Sequence, residues 1–399
     1  MISMAEALAV LRENLPAPAV EERPLEEALG LALADDLLAP EPSPRYTNSA
    51  MDGYAVRWED VRPAAPSRPV RLAIVGESRA GAPLAGPVGK GQAARISTGA
   101  MLPEGADTVI RVEDAGEEGE MVLVRAARRQ GQDVRRRGEE FGPGDLLLRR
   151  GARVSAPQAA LLAAVGIERV RVFRPCAVAL LVTGSELMAT GGAIADHQIR
   201  DSNMIMLNAA ARQAGARLVS TRRVIDDRRA TVEAIAEAQA ELILCSGGVS
   251  VGRHDHVKAA AEENGFAPLF WKVRQRPGKP LYLARRGDTL LFGLPGNPVS
   301  AFMCFVHYVR PAIAALSGQP FAWPTARALA GEEMANPGQR PALLRVRRLA
   351  SSASGDCLVA SAERQGSHML TSLTGAFGYL VLEPEQRVAP GQVVEVYLF

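Results

Sequence analysis

Lysine is nearly missing from this chain of 399 residues: it occurs only at positions 90, 258, 272 and 279, so arginine carries almost all of the basic charge. One of the four is set between prolines, in Pro277-Gly278-Lys279-Pro280, and stands out for that reason. Cysteine is also sparse. Cys176, Cys245, Cys304 and Cys357 are widely spaced, form no Cys-x-x-Cys pair and sit mostly in apolar runs, which reads as buried free thiols. No run approaches the length needed to cross a bilayer, and no N-terminal stretch has the basic, apolar and small-residue order of a leader. A cytoplasmic protein without membrane contact is expected. The net charge of +2 is too small to imply nucleic acid, whose partners normally carry a concentrated basic face. A Walker phosphate motif is lacking as well, since Gly89-Lys90-Gly91 has neither the upstream glycine spacing nor the following Ser or Thr.

What is present begins with two loops. Ser246-Gly247-Gly248-Val249-Ser250-Val251-Gly252 and Gly293-Leu294-Pro295-Gly296-Asn297-Pro298 each follow an apolar run that reads as a buried parallel strand, and each opens a helix. Glycines let the backbone approach a ligand, and the free N–H groups of a following helix attract an anion, so such loops hold phosphates. Taken alone, Gly247-Gly248 reads better as a tight strand-to-helix turn; two such loops in one domain reverse this in favour of the ligand reading.

The chain is too long for a single core and suits two to four domains. Residues 1 to about 39 show helical periodicity, with Met4, Leu8 and Leu11 on one face, and Pro40-Glu41-Pro42-Ser43-Pro44 reads as an extended linker. From Asp52 to about Asp145 short β-prone runs broken by Gly and Pro indicate an all-β unit. A helical run returns over 156–165, so the β unit is expected as an insertion in a discontinuous domain. From 175 to about 317 strands alternate with helices, the pattern of a parallel sheet covered on both faces, and the last segment returns to β alternation, as in a small barrel or sandwich. The expected fold class is thus α/β plus β and multidomain, divided as 1–45 with 141–173, 46–140, 174–322 and 323–399. Ligands of open α/β sheets bind beyond the carboxyl ends of strands, here Thr183-Gly184-Ser185-Glu186, Asp226-Asp227 and the two glycine loops.

Several motifs together carry a resemblance: Thr183-Gly184-Ser185-Glu186-Leu187, Asp201-Ser202-Asn203, Ser246 to Gly252, Pro277-Gly278-Lys279-Pro280 and Leu294 to Ser300, in this order. The N-terminal half adds Asn48 to Ala55, Ser97-Thr98-Gly99-Ala100, Gly105 to Val109 and Arg135-Arg136-Arg137-Gly138-Glu139. In these the chain resembles the molybdopterin molybdenumtransferase family, of the MoeA and gephyrin E-domain type, over essentially its whole length.

The resemblance implies four domains, one discontinuous with a molybdopterin-binding α/β domain at the centre, in a homodimer with each site near the subunit boundary. It implies insertion of molybdate into adenylylated molybdopterin with release of AMP, assisted by a divalent cation such as magnesium. A molybdopterin adenylyltransferase and molybdoenzyme-maturation proteins are the implied protein partners. Lys279 is the first candidate cation for an anionic substrate, its proline neighbours fixing the backbone and exposing the side chain, with Arg276 in support. Glu186, Asp226 and Asp255 are candidates for the metal, because hard divalent cations take oxygen ligands, and Asp52 is a further carboxylate that the family uses, reaching across from the partner subunit. Gly53 beside it is expected to permit a sharp turn. Thr98, Arg135, Thr183, Gly184, Ser246, Gly247, Gly248, Ser250, Pro295, Gly296, Asn297, Pro298 and Ser367 are carried over as substrate contacts. Asp201 and Asp227, just before helices, read better as caps. His254 and His256 share a strand-like face, but with no third soft ligand nearby they read as loop histidines.

Three positions depart from the family pattern. Glu140 stands where a shorter aspartate is common and lengthens a candidate metal ligand, Arg276 replaces a lysine, and Phe377 replaces an asparagine. They motivate the alternative of a non-catalytic carrier or scaffold for molybdopterin or molybdate. An adenylyltransferase is a third reading, which the β insertion and C-terminal β unit oppose.

Overall fold

The computed structural model describes residues 1–249, 256–349 and 357–399. The chain forms two compact units, one made of Met1–Ala34 with Val170–Phe399 and the other of Asp35–Arg169.

The first unit is organised by six strands: β1 (Ala177–Thr183), β2 (Arg217–Val224), β3 (Leu242–Ser246), β4 (Ala267–Trp271), β5 (Tyr282–Arg286) and β6 (Thr289–Leu294). They lie in the order β2-β1-β3-β6-β5-β4. The pairs β2–β1, β1–β3 and β3–β6 are parallel, whereas β6–β5 and β5–β4 are antiparallel. Every residue of β1 and β3 is buried. Val178, Leu180 and Val182 join the core on one face while Ala179 and Leu181 join that on the other, which is why these strands read as continuous apolar runs. Each fully buried Leu or Val contributes about 1.5–3 kcal/mol, so this layer is the rigid base of the site.

Helices α1 (Ser202–Gln213), α2 (Arg228–Glu237), α3 (Val257–Glu263) and α4 (Pro298–Cys304) flank the sheet, and α4 runs through a π-helical turn, Phe305–Val309, into α5 (Arg310–Leu316). The aspartate caps are as expected: Met204 N–H donates to Asp201 Oδ1 at 2.9 Å and Ala230 N–H to Asp227 Oδ1 at 2.8 Å. The helical run Pro298–Leu316 corrects the reading that no segment is long and apolar enough to cross a membrane. Its mean hydropathy is 1.5, and 78% of it is buried inside the protein, as befits a core helix.

A closed barrel follows, built from β7 (Thr325–Ala330), β8 (Ala342–Arg348), β9 (Leu358–Ser361), β10 (Gly378–Leu382) and β11 (Val393–Leu398) in the order β7-β9-β8-β10-β11. The N-terminal periodicity overstated the helix. Only Met4–Glu13 is α-helical, capped by Ser3, and beyond Pro16 and Pro18 the chain turns to a strand, Val20–Pro24, and a short 3₁₀ turn, Leu25–Ala28.

The second unit is mostly β. Its six-stranded sheet includes Gly53–Val56, Val70–Ser78, Gln92–Ile96 and Thr108–Arg111, with Gly53–Val56 paired on both sides. Gly53 serves this sheet rather than a turn: a Cβ there would lie 1.9 Å from the Ile110 carbonyl oxygen. The helix of this unit that the periodicity of 156–165 indicated spans Ala156–Ala164.

Candidate functional site

Strand register gathers the candidate residues of the first unit along one rim. Thr183 pairs with Val224, Val182 with Ser246 and Ser246 with Leu294, so the segments after β1, β2, β3 and β6 leave the sheet side by side. The antiparallel strands add a fifth segment. Trp271 at the end of β4 pairs with Tyr282 at the start of β5, and Tyr282 pairs with Gly293. The connection 272–281, which holds Arg276 and Lys279, therefore emerges at the same rim as the glycine loops.

The two glycine loops are tied to each other. Asn203, buried in the first turn of α1, donates through Nδ2 to Ser246 Oγ at 2.9 Å and to the Gly296 carbonyl at 2.7 Å, and Ser246 Oγ donates to the Pro295 carbonyl at 3.4 Å. Gly247 N–H donates to the Leu294 carbonyl at 3.0 Å. Gly247 has φ +94°, and a Cβ on it would lie 2.7 Å from both the carbonyl and hydroxyl oxygens of Thr183, so only glycine fits. Thr183 Oγ1 and Asn203 Oδ1 are buried beneath these loops without a hydrogen-bond partner among the described residues.

Ser185 and Asp226 form a reciprocal pair. Ser185 N–H donates to Asp226 Oδ2 at 2.9 Å and Asp226 N–H to Ser185 Oγ at 3.0 Å, which leaves one carboxylate oxygen outside the pair. Glu186 is exposed beside it, its Oε2 only 2.9 Å from where a Cβ on Gly184 would stand. Ser250, His254 and Asp255 lie outside the described residues. Among the described residues no group of three His, Cys, Asp or Glu side chains is arranged as a metal centre. Two carboxylates at one rim still suit magnesium, which is usually held by one or two protein carboxylates together with substrate phosphates and water.

At the far end of the Gly293 loop, Asn297 occupies the N-cap of α4 yet makes no capping bond with its side chain. Its Nδ2 donates instead to Ser367 Oγ at 3.2 Å, and the Val299 N–H donates to the Ser367 carbonyl at 3.1 Å. The expectation of free first-turn N–H groups is therefore corrected at Val299, whose donor is taken by the barrel. Ser367 is held in turn from below. Gln365 accepts the Arg345 N–H at 3.2 Å and returns a bond to the Arg345 carbonyl at 2.9 Å, and the Arg345 side chain is wholly buried. Burial, reinforced by nearby Arg276, draws that guanidinium down to about 10. Lys279 and Arg276 are both exposed, as their proline-bounded setting implied, and the Arg276 backbone bridges to Ala342 of β8.

Four candidates belong to the second unit. Asp52 accepts the Thr98 N–H through Oδ1 at 2.7 Å, and both side chains are exposed. Arg135 pairs with Asn48 in a short two-stranded ladder, while Gly99 N–H donates to the Ser49 carbonyl at 2.8 Å, which brings these segments together. Glu140 accepts from Ser43 Oγ at 2.7 Å. Sequence reasoning missed Asn203 as a strut, although it had noted the Asp201-Ser202-Asn203 motif, and it missed Trp271, whose indole N–H donates to the Val249 carbonyl at 3.0 Å.

Comparison with known proteins agrees with this layout. Residues 2–166 match the MoeA N-terminal region (domain I and II), residues 179–315 a probable molybdopterin binding domain, and residues 327–399 the MoeA C-terminal region (domain IV). The chain is 33% identical to a molybdopterin molybdenumtransferase of Haemophilus influenzae, over 100% of this chain and 99% of that one. It is 34% identical to the Bacillus subtilis protein of the same name, over 94% and 88%. A molybdopterin biosynthesis MoeA protein structure from Pyrococcus horikoshii superposes with a TM-score of 0.87 at 32% identity, covering 100% of this chain and 99% of that one. With its three regions matched in order and its length shared almost end to end, the chain belongs to the MoeA family.

Proposed function

We propose that this protein is a molybdopterin molybdenumtransferase, inserting molybdate into adenylylated molybdopterin with release of AMP in molybdenum cofactor biosynthesis. The full-length likeness to relatives bearing that name carries the assignment of the reaction. The rim of the central sheet supports where it happens: the phosphates lie on the Ser246-Gly247-Gly248 and Pro295-Gly296-Asn297-Pro298 turns, with Thr183, Gly184, Ser367 and, outside the described residues, Ser250 completing the contacts.

Lys279 is a compact cation for molybdate or phosphate, with Arg276 as a second, planar one. Magnesium, when bound, would offset charge on the phosphate being cleaved; Glu186 and Asp226 would hold it, with Asp255 as a further candidate, and Glu140 is a separate metal candidate in the second unit. Ser185 fixes the orientation of Asp226 for that role through the reciprocal bonds described above. Asp52, Thr98 and Arg135 form a second set of substrate contacts. We also propose a cytoplasmic homodimer, and a domain division at 1–45 with 141–173, 46–140, 174–322 and 323–399.

The deciding assay mixes purified protein with adenylylated molybdopterin, magnesium and molybdate and follows AMP. Molybdate-dependent release that stops on chelation of the metal is expected. Absence of molybdate-dependent AMP would overturn the enzymatic reading in favour of a carrier.

A further inference from the structure

Beneath the exposed Lys279 turn lies a buried polar network. Gln275 is wholly buried, although Arg274 and Arg276 on either side of it are exposed. Its Nε2 donates to the Gly278 carbonyl at 3.1 Å and lies 3.5 Å from Cys304 Sγ, which itself approaches the Gly278 carbonyl at 3.6 Å. The Gln275 Oε1 accepts the hydroxyl of Tyr308, a side chain with no exposure at all. Tyr308 belongs to the π-helical turn Phe305–Val309, and such turns are rare and concentrate at functional sites. Gly278 is locked from the other side. Its φ is +87°, and a Cβ on it would meet Cys304 Sγ at 2.4 Å and Gln275 Nε2 at 2.9 Å. The Lys279 carbonyl accepts two further bonds, from the N–H groups of Val273 and Leu281, both at 3.0 Å. The carbonyls of Gly278 and Lys279 are thus anchored inward, while the Lys279 side chain is exposed.

We propose that Gln275 and Tyr308 are positioning residues for Lys279: the π turn of the core helix delivers the Tyr308 hydroxyl to Gln275, and Gln275 fixes the peptide of Gly278 from which the lysine projects. This rests on the reading of Lys279 as the cation that meets an anionic substrate. A charge whose position relative to an oxyanion must be held to within about 0.5 Å gains from a backbone that has no alternative conformation. A flexible four-carbon side chain on a loose turn would spread the same charge over many positions.

The test uses the full-length protein and molybdate-dependent AMP release, with thermal midpoints measured in parallel. Gln275→Met and Tyr308→Phe are each expected to raise the KM for molybdate roughly tenfold, with kcat changed much less. The double variant Gln275→Met/Tyr308→Phe removes the Gln275–Tyr308 pair together, so that neither side chain is left without the other, and leaves the Gly278 carbonyl with the Cys304 thiol at 3.6 Å; it guards against misfolding of either single variant. In a Lys279→Ala background the added effect should shrink to within about twofold, because coupled residues are not additive. A folded double variant with wild-type KM overturns the inference and leaves the reading of Lys279 intact. An effect that persists undiminished without the lysine also overturns it, and a Lys279→Ala variant with unchanged kinetics removes both.

Discussion

Asn203 joins Ser246 to Gly296: one buried carboxamide nitrogen donates at 2.9 Å to the hydroxyl of the first glycine loop and at 2.7 Å to a carbonyl of the second. The two loops are 50 residues apart in sequence, from position 246 to position 296, and this side chain makes them a single surface. Asn203→Ala should cost about 1 kcal/mol, since it takes the donor from the buried Ser246 hydroxyl, which keeps only its 3.4 Å bond to the Pro295 carbonyl, and from the Gly296 carbonyl. Asn203→Asp should bind the pterin nucleotide more weakly still, because a carboxylate would face the Gly296 carbonyl with no proton to donate. Thermal melts and nucleotide affinity check both statements. Equal affinity in wild type and the Asp variant would show that the loops act separately.

Gly247→Ala is expected to damage the rim. At φ +94° the alanine backbone is strained, and its Cβ falls 2.7 Å from two oxygens of Thr183. Strain of this kind costs about 1–3 kcal/mol, before the displacement of Thr183 is counted. Urea unfolding measures the loss, and a variant as stable as the wild type would mean that the turn can relax.

Lys279→Ala should behave in the opposite way. The side chain is exposed, so stability should change by no more than about 0.5 kcal/mol, whereas kcat/KM should fall roughly a hundredfold, chiefly through the KM for molybdate, because the proposed ammonium–anion contact is lost. Steady-state AMP release and a melting curve, taken on one preparation, separate the two effects.

Acid stability should depend on His307. Burial, with a smaller push from Arg310, lowers its imidazole from 6.5 to about 3, while Nδ1 meets the Tyr379 hydroxyl at 2.9 Å. The unfolded chain takes up a proton below about 6.5 that the folded chain refuses until about 3, so stability falls as pH drops through that window. His307→Phe should flatten this part of the pH–stability curve. An unchanged slope would assign the acid sensitivity to other groups.

The alternation of strands and helices from 177 to 316 was legible because strands buried on both faces appear as unbroken apolar runs, as in Leu242–Ser246 and Thr289–Leu294. The caps Asp201 and Asp227 were legible because a cap is a local event. Asn203 and Gln275 were not, since their partners lie 43 and 93 positions away in one case and 33 in the other, and no periodicity records such distances. The first 39 residues misled for a related reason. Leucines at helical spacing continue past Pro16 and Pro18, and backbone chemistry there outweighs the pattern.

The reversal of β5 against its parallel neighbours has an evolutionary corollary. A hairpin that brings a cation to the same rim can change the exposed side chains at its tip without shifting the pairing of β1, β3 and β6. On the proposed reading of Lys279, selectivity among tetrahedral oxyanions is set in ten residues, 272–281, apart from the strands that carry the glycine loops.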